Sequence, residues 1–280
     1  MTSSDNALPC LDLLVCGSGV NFLQGDLALS TIVLLRTLGA DGREVRIVID
    51  TGHNGMRRSL LEGLAKHSLT PPDIDFVFLT HVHWDHVQNI DLFINAKVVL
   101  SRTEWTSIQG ATPRDLMTPA WTKYLIPKDR VITVEPGQVV VPGIEFIAVP
   151  GHTAGCIAFA IQLHDQPSII TGDAIPWAEV ARSKRSALVF AGVERSRDSI
   201  EKLVARGGVM YPGHDRPFRL VGGEVEYLVD FDLTMFGADP STPGLKFAPP
   251  AILTTLDLSD GEPVGRRWTK EELRAPSPTD

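Results

Sequence analysis

Cysteine is scarce in this chain, with Cys10, Cys16 and Cys156 the only three among 280 residues. Their spacing offers neither a disulfide framework nor a paired-cysteine zinc motif. Cys156 lies close to a histidine motif but reads as a small buried thiol. Long apolar runs are missing as well: no stretch approaches the ~18–20 residues needed to span a bilayer. The opening Met1-Thr2-Ser3-Ser4-Asp5-Asn6 lacks the basic segment of a secretory signal. The default expectation is a cytoplasmic protein with no membrane partner. Positive charge is also short, because 26 Lys and Arg face 34 Asp and Glu, for a formal net charge of −8. Phosphate binding leans on Lys and Arg, so nucleic acid is disfavoured as the main partner and a small-molecule substrate is favoured. The one basic stretch, Arg182-Ser183-Lys184-Arg185 with Arg195 and Arg197 beyond it, reads as a solvated loop. The remaining composition, 43% apolar and 21% charged, is that of a globular chain long enough to bury a full core.

Against this background one stretch is dense in chemistry: Thr80-His81-Val82-His83-Trp84-Asp85-His86. It follows Phe76-Val77-Phe78-Leu79, a short aromatic and β-branched run that predicts a buried strand. In extended chain His81 and His83 point to one side, because side chains alternate with period two, so both imidazoles can reach one ion. Asp85 and His86 follow as the chain turns and can reach a second ion. Imidazole and carboxylate together suit zinc and similar metals.

Other polar residues recur in the same setting. Strands are expected at 11–15, 28–36, 44–50, 97–101, 131–134, 139–141, 144–149, 157–161, 168–171 and 209–211, from their apolar and alternating patterns. Helices are expected at 56–66 and 197–206. Residues 104–128, with three prolines, read as an irregular insert that walls a pocket or covers the surface. Residues 227–236 read as a further helix, and the last forty residues as a surface wrap or mobile tail. Asp50, His81–His86, His152, Asp173 and His214 each follow an expected strand, most of them beside a glycine. Strand ends converging on one sheet edge are a common way to build a site. Asp50, just before a glycine turn, reads equally as a turn cap or as a carboxylate that orients a metal ligand. His53, His67 and His164 fall outside the pattern and are not expected to bind metal. Trp84 and Trp177, neighbours of ligands in sequence, and Phe22, in an early loop at 17–22, are the candidate pocket residues.

The ordered set Asp50, His81-x-His83-x-Asp85-His86, His152, Asp173 and His214, spread over residues ~11 to ~220, resembles the metallo-β-lactamase superfamily. The resemblance implies an α+β fold, a four-layer αβ/βα sandwich, with a two-metal site along one edge. It implies a hydrolase domain over 1–220 and, over 221–280, a C-terminal extension packed on that domain or partly mobile. By position, His81, His83 and His152 would bind one metal, Asp85, His86 and His214 the second, and Asp173 would bridge them. Asp50 would support the site from behind. The metals would be two zinc ions per chain, with iron or manganese as alternatives, and the assembly is compatible with a homodimer.

Asp173 makes the chain similar to the glyoxalase II and lactonase branch. Phe93-Ile94-Asn95-Ala96, Ser101-Arg102-Thr103-Glu104-Trp105, Val141-Pro142-Gly143-Ile144 and Phe190-Ala191-Gly192 resemble the quorum-quenching N-acyl-homoserine lactonases. Two positions depart from those enzymes. Pro176 stands where they carry a tyrosine, and Gln88-Asn89 where they carry paired glycines. Glu194 through Pro217-Phe218 also resembles small animal metallo-β-lactamase-domain proteins linked to RNA processing. The implied reaction is attack of a metal-bridged hydroxide on a lactone or ester carbonyl, with Asp85 as the catalytic proton carrier. The alternatives are a thioesterase of glyoxalase II type, an RNA or DNA phosphodiesterase, or a mononuclear iron persulfide dioxygenase. The dioxygenases also carry a Pro-Gly-His-Thr-x-Gly-Cys stretch like residues 150–156.

Overall fold

The structure, a computed structural model, describes residues 8–22, 25–110, 115–163, 166–186 and 188–230, together with strand pairs at 234–235, 245–246 and 256–257. Eight strands form the first half: β1 (Cys10–Val15), β2 (Ser18–Phe22), β3 (Gly25–Leu29), β4 (Ile32–Leu38), β5 (Glu44–Ile49), β6 (Phe76–Phe78), β7 (Lys97–Ser101) and β8 (Val131–Val134). Six of them make one sheet in the order β1-β4-β5-β6-β7-β8, and β2 and β3 form a separate hairpin. The second half supplies β9 (Ile144–Ala148), β10 (Ile157–Gln162), β11 (Pro167–Gly172), β12 (Leu188–Val189), β13 (Val209–Pro212), β14 (Phe218–Val221) and β15 (Glu224–Tyr227). All but β12 join a second six-stranded sheet, ordered β15-β14-β13-β11-β10-β9. The helices are α1 (Arg57–Lys66), α2 (Trp84–Val87), α3 (Arg102–Ile108), α4 (Thr122–Leu125), α5 (Ala178–Ser183) and α6 (Val193–Arg206).

Period-two alternation divides the apolar residues among three cores. In β4, Val33 and Leu35 face the second sheet, while Ile32 and Leu34 face the helices. Between the sheets lie Ile47, Ile49, Phe78 and Val99 from one side and Phe146, Phe159 and Ile170 from the other. Phe78 and Phe159 are fully buried with ring centroids 5.3 Å apart. Truncating such a ring to alanine costs about 3–5 kcal/mol. Outside the first sheet Leu60 and Leu64 of α1 complete a second core. Outside the second sheet Ile200 and Leu203 of α6 complete a third, with Val180 of α5. Three apolar layers between four structural layers give the expected αβ/βα sandwich. No helix among the described residues is long and apolar enough to cross a membrane.

Several local expectations need correction. The run 28–36 is two strands, because the chain turns at Ser30-Thr31, where Thr31 N–H donates to Gly213 C=O at 2.7 Å. Residues 139–141 are not a strand. Their apolar pattern instead sends Val141 into the inter-sheet core while Val139 stays 70% exposed. The 104–128 segment is only partly irregular, since α3 and α4 fall within it. Ser101 caps α3 by accepting from Glu104 N–H. Of the helix expected over 227–236, Tyr227 instead ends edge strand β15 and Thr234–Met235 is a short strand, and Phe22 ends strand β2 rather than sitting in a loop. Leu256–Asp257 pairs in parallel with β12. The other residues beyond 230, apart from the pairs named above, lie outside the described residues, as does His164.

Candidate metal centre

The ends of β5, β6, β9, β11 and β13 meet along one edge between the two sheets, and each carries part of the site. β5 delivers Asp50, whose backbone takes the left-handed φ of 57°. Aspartate tolerates that conformation better than most residues. Its Oδ1 accepts from Thr80 N–H at 2.8 Å, and its Oδ2 accepts from Thr80 Oγ1 and lies 2.8 Å from His86 Nδ1. β6 delivers Thr80 and then His81 and His83 in extended chain, before α2 opens with Trp84. That helix is one turn long, so its carbonyl oxygens need outside donors. Ser30 Oγ donates to Asp85 C=O at 2.6 Å, and Thr51 donates to His86 C=O from both its N–H and its hydroxyl.

The loop after β9 places His152, β11 places Asp173 and β13 places His214. Gly172 and Gly213 are required for this approach: a Cβ on Gly172 would lie 2.6 Å from Thr80, and one on Gly213 would lie 1.8 Å from Asp173 Oδ1. Gly151 is pressed as closely on α6, with a Cβ there 2.3 Å from Ser196 Cα.

Three overlapping groups result: His81, His83 and His152; His81, His86 and Asp173; and Asp85, His86 and His214. In each, one ligand atom per residue lies within 4.8 Å of the others, and every member is buried. Asp173 touches both ends of the cluster. Its Oδ1 is 3.4 Å from His86 Nε2, and its Oδ2 is 3.3 Å from His152 Nε2 and 3.2 Å from His214 Nε2. His81 Nε2, His86 Nε2 and Asp173 Oδ1 are buried without a hydrogen-bond partner. Unpaired buried polar atoms are costly in a folded chain, and several converging on one point fit a divalent cation.

The electrostatics agree with that fit. Burial opposes charge on His86, yet the carboxylates of Asp85, Asp173 and Asp50 outweigh it and hold its pKa well above the ordinary imidazole value. His214 behaves likewise, raised to about 10 against burial by Asp173 and Asp85. Burial, with the neighbouring His86 and His83, holds His81 well below the ordinary value. Asp173 stays far below the usual carboxylate range, since His214, His86 and His152 overcome its burial. A cation bound here would displace protons from His86 and His214.

Among the pocket candidates, Trp84 is half-buried with its ring 5.3 Å from His53. Trp177, also half-buried, lies 6.1 Å from the His214 ring. Phe22 ends the hairpin strand that runs beside Trp177, but its side chain lies outside the described residues. His67 faces Asp12 at the surface, away from the cluster.

Several supporting residues escape a sequence reading. Asn89, at one of the departures from the lactonase pattern, donates to the carbonyls of Thr51 and His53 at 2.9 and 2.8 Å and so ties α2 to the Asp50 turn. Asp115, from the supposed insert, lies 3.4 Å from His83 Nε2, and that contact leaves Nδ1 to face the centre. Burial opposes ionisation of Asp115, but the hydrogen bond and charge of His83 bring its pKa down to about 2. Glu104, almost wholly buried, accepts from Thr153 Oγ1 and Gly155 N–H and braces the His152 loop. Phe190 packs its edge on the rings of His83 and His152 at 5.4 and 5.6 Å. Asp115 carried no signal, because its distance in sequence from the ligands hides the contact. Glu104 was visible only as part of the lactonase-like stretch.

A model of the metallo-β-lactamase superfamily matches residues 26–214. Metallo-β-lactamase domain-containing protein 1 of Xenopus laevis is 27% identical over 183 residues, covering 62% of this chain and 68% of its own length. An N-acyl homoserine lactonase from a Bacillus species is 25% identical over 152 residues, covering 52% of this chain. This chain spans 57% of that lactonase's length. Among solved structures, a variant of B. thuringiensis AiiA with N-decanoyl-L-homoserine bound at its active site superimposes with a TM-score of 0.58 at 20% identity. That superposition covers 73% of this chain and 92% of AiiA, and at this identity it speaks for the fold.

Proposed function

Given that the chain belongs to the metallo-β-lactamase superfamily of metal-dependent hydrolases, we propose that it is a dinuclear hydrolase of carboxylic esters, lactones foremost. The observation that carries this reading is the Asp173 carboxylate, within 3.4 Å of imidazole nitrogens from both the His152 and the His86–His214 sides of the cluster. His81, His83 and His152 would hold one ion, Asp85, His86 and His214 the other, and Asp173 both. The ligand chemistry suits zinc, with iron and manganese as the alternatives. Two such ions acidify a water toward neutrality and polarise a carbonyl oxygen.

The chain's own residues supply the rest. Asp85 is buried, and the charges of His86 and His214 overcome that burial to keep it ionised at neutral pH. It would hold the attacking water in line and carry its proton to the leaving alkoxide. Asp50 would fix the His86 tautomer, with the proton on Nδ1 and Nε2 toward metal. Asp115 would do the same for His83 through the opposite nitrogen. Trp84 and Trp177 would exclude water from the carbonyl. Similarity to an N-acyl homoserine lactonase supports the lactone class.

A mononuclear iron dioxygenase would need only one set of two histidines and a carboxylate, so the further ligands on both sides of Asp173 favour the dinuclear reading. A phosphodiesterase could use the same two metals, but the net charge of −8 works against a polyanion. A thioester would require only that the leaving group be a thiolate. The test is elemental analysis of the purified protein joined to pH-stat assays on lactones, thioesters and a phosphodiester. About two zinc per chain with acid release from a lactone is the expected result. About one iron per chain, with oxygen uptake on glutathione persulfide, would overturn it.

A further inference from the structure

A cavity of about 310 Å³ adjoins the centre on its His83–His152 side, walled by Glu104, Asp115, Thr153, Phe190, Ala191 and Arg195 among others. Phe190 and Asp115 connect it to the metal ligands, the first by ring contact and the second through His83 Nε2. The two wall carboxylates are already engaged. Asp115 faces His83 and accepts from Met117 N–H and Thr118 Oγ1, and Glu104 accepts from Thr153 and Gly155. Burial also pushes the Glu104 carboxyl up toward its neutral form.

Arg195 is different. It is the single cationic side chain among the described residues of the cavity wall and is exposed. Among the described residues every arginine except Arg185 and Arg195 lies against a carboxylate or a carbonyl oxygen. Glu194, its neighbour, pairs with Arg197 instead. Arg195 also stands in the first turn of α6, where the helix dipole disfavours a cation. Neither an ion pair nor helix stability therefore accounts for its placement, while a planar guanidinium fork is well suited to a carboxylate or phosphate.

We propose that this cavity receives the acyl portion of the substrate and that Arg195 binds an anionic group at the end of that portion. The proposal rests on the hydrolase reading above and narrows its substrate class. The volume holds about ten water-sized groups, which suits a short acyl chain ending in an anion. Thr118, Thr153 and Ser107 keep the wall polar, unlike a sleeve for a long alkyl tail.

The test uses the zinc-loaded full chain and three 4-nitrophenyl esters of matched length: of glutaric acid, of its monomethyl ester, and of 4-phosphonobutyric acid. The wild type should favour an acidic ester over the methyl-capped one, and its choice between the two acids separates carboxylate from phosphate recognition. Arg195→Met should lower kcat/KM for the acidic esters by about 10–100-fold, chiefly through KM, and leave the capped ester within about twofold. Arg195→Lys should restore part of the loss. An equal loss on all three esters, or no loss, would overturn the proposal. If the wild type cleaves none of them, the ester-hydrolase reading fails separately, and calorimetric titration with glutarate and inorganic phosphate decides the anion site. Weaker binding in Arg195→Met would then support it, while equal binding, or none by the wild type, would overturn it.

Discussion

Asp50→Asn isolates the hydrogen bonds behind one metal triad with little other disturbance. Asparagine is nearly isosteric and also tolerates the left-handed φ of 57° that Asp50 adopts, so the turn should persist. One carboxamide oxygen can still accept from Thr80 N–H. The second oxygen, which lies 2.8 Å from both Thr80 Oγ1 and His86 Nδ1, becomes an NH₂ group that can only donate. His86 then either turns or carries its proton on Nε2, the nitrogen that would bind metal. Loss of such a supporting partner typically weakens metal affinity by about 10–100-fold, or about 1.4–2.8 kcal/mol. The loss should fall on the ion held by Asp85, His86 and His214, while the ion held by His81, His83 and His152 keeps its affinity. Competition with a fluorescent chelator, read beside elemental analysis, resolves the two sites. The variant should retain about one zinc per chain under conditions in which the wild type retains about two. Two sites of unchanged affinity would refute the argument.

Three further outcomes follow from the same geometry. Asp85→Asn should weaken the ion it would share with His86 and His214 and, even when reloaded to full metal content, lose about 100-fold or more in turnover, because the amide cannot carry a proton from water to the leaving group; full metal content with an unchanged rate would remove Asp85 from the chemistry. Gly213→Ala would place a methyl 1.8 Å from Asp173 Oδ1. The carboxylate must then move by about 1 Å or more, and turnover should fall about 100-fold, with kinetics and metal analysis as the check. In chelator-stripped protein, Asp173 and Asp85 hold the His214 proton up to about pH 10, whereas an unfolded imidazole loses it near 6.5. That stabilisation is fully present below about pH 6.5 and lost as pH rises through about 10, so melting temperatures should decline across this window. Zinc uptake near neutral pH should release acid, and a flat melting profile with no acid release would contradict the assignment.

Much of the site was legible because its residues obey short-range rules. Strands with period-two patterns ended where the ligands began, and the spacing of His81, His83, Asp85 and His86 made sense once a strand was placed before them. The ordered recurrence of His152, Asp173 and His214 at later strand ends carried the resemblance. Errors clustered where local pattern was weak or a neighbour overrode it. Residues 139–141 looked like a strand but serve the inter-sheet core through Val141, with Val140 packed against it. Residues 104–128 looked irregular because α3 and α4 are short, yet Glu104 and Asp115 from that segment brace His152 and His83. The turn at Ser30-Thr31 was invisible because its partners, Asp85 and Gly213, lie 55 and 182 residues away in sequence.

By itself, then, the sequence marked the candidate ligands that the fold brings together, most of the strands and helices in their order, and the lack of a disulfide framework. These depend on residue type, periodicity and spacing within a few positions along the chain. Only the tertiary structure supplied the contacts by which Asp173 reaches imidazoles on both sides of the cluster, and showed that Asp50 and Asp115 lie against opposite ring nitrogens of His86 and His83. Only it showed that Arg195 lines a cavity with no ion-pair partner among the described residues. These are relations between strand ends and helices brought together by burial of the apolar layers, and distance along the chain carries no record of them.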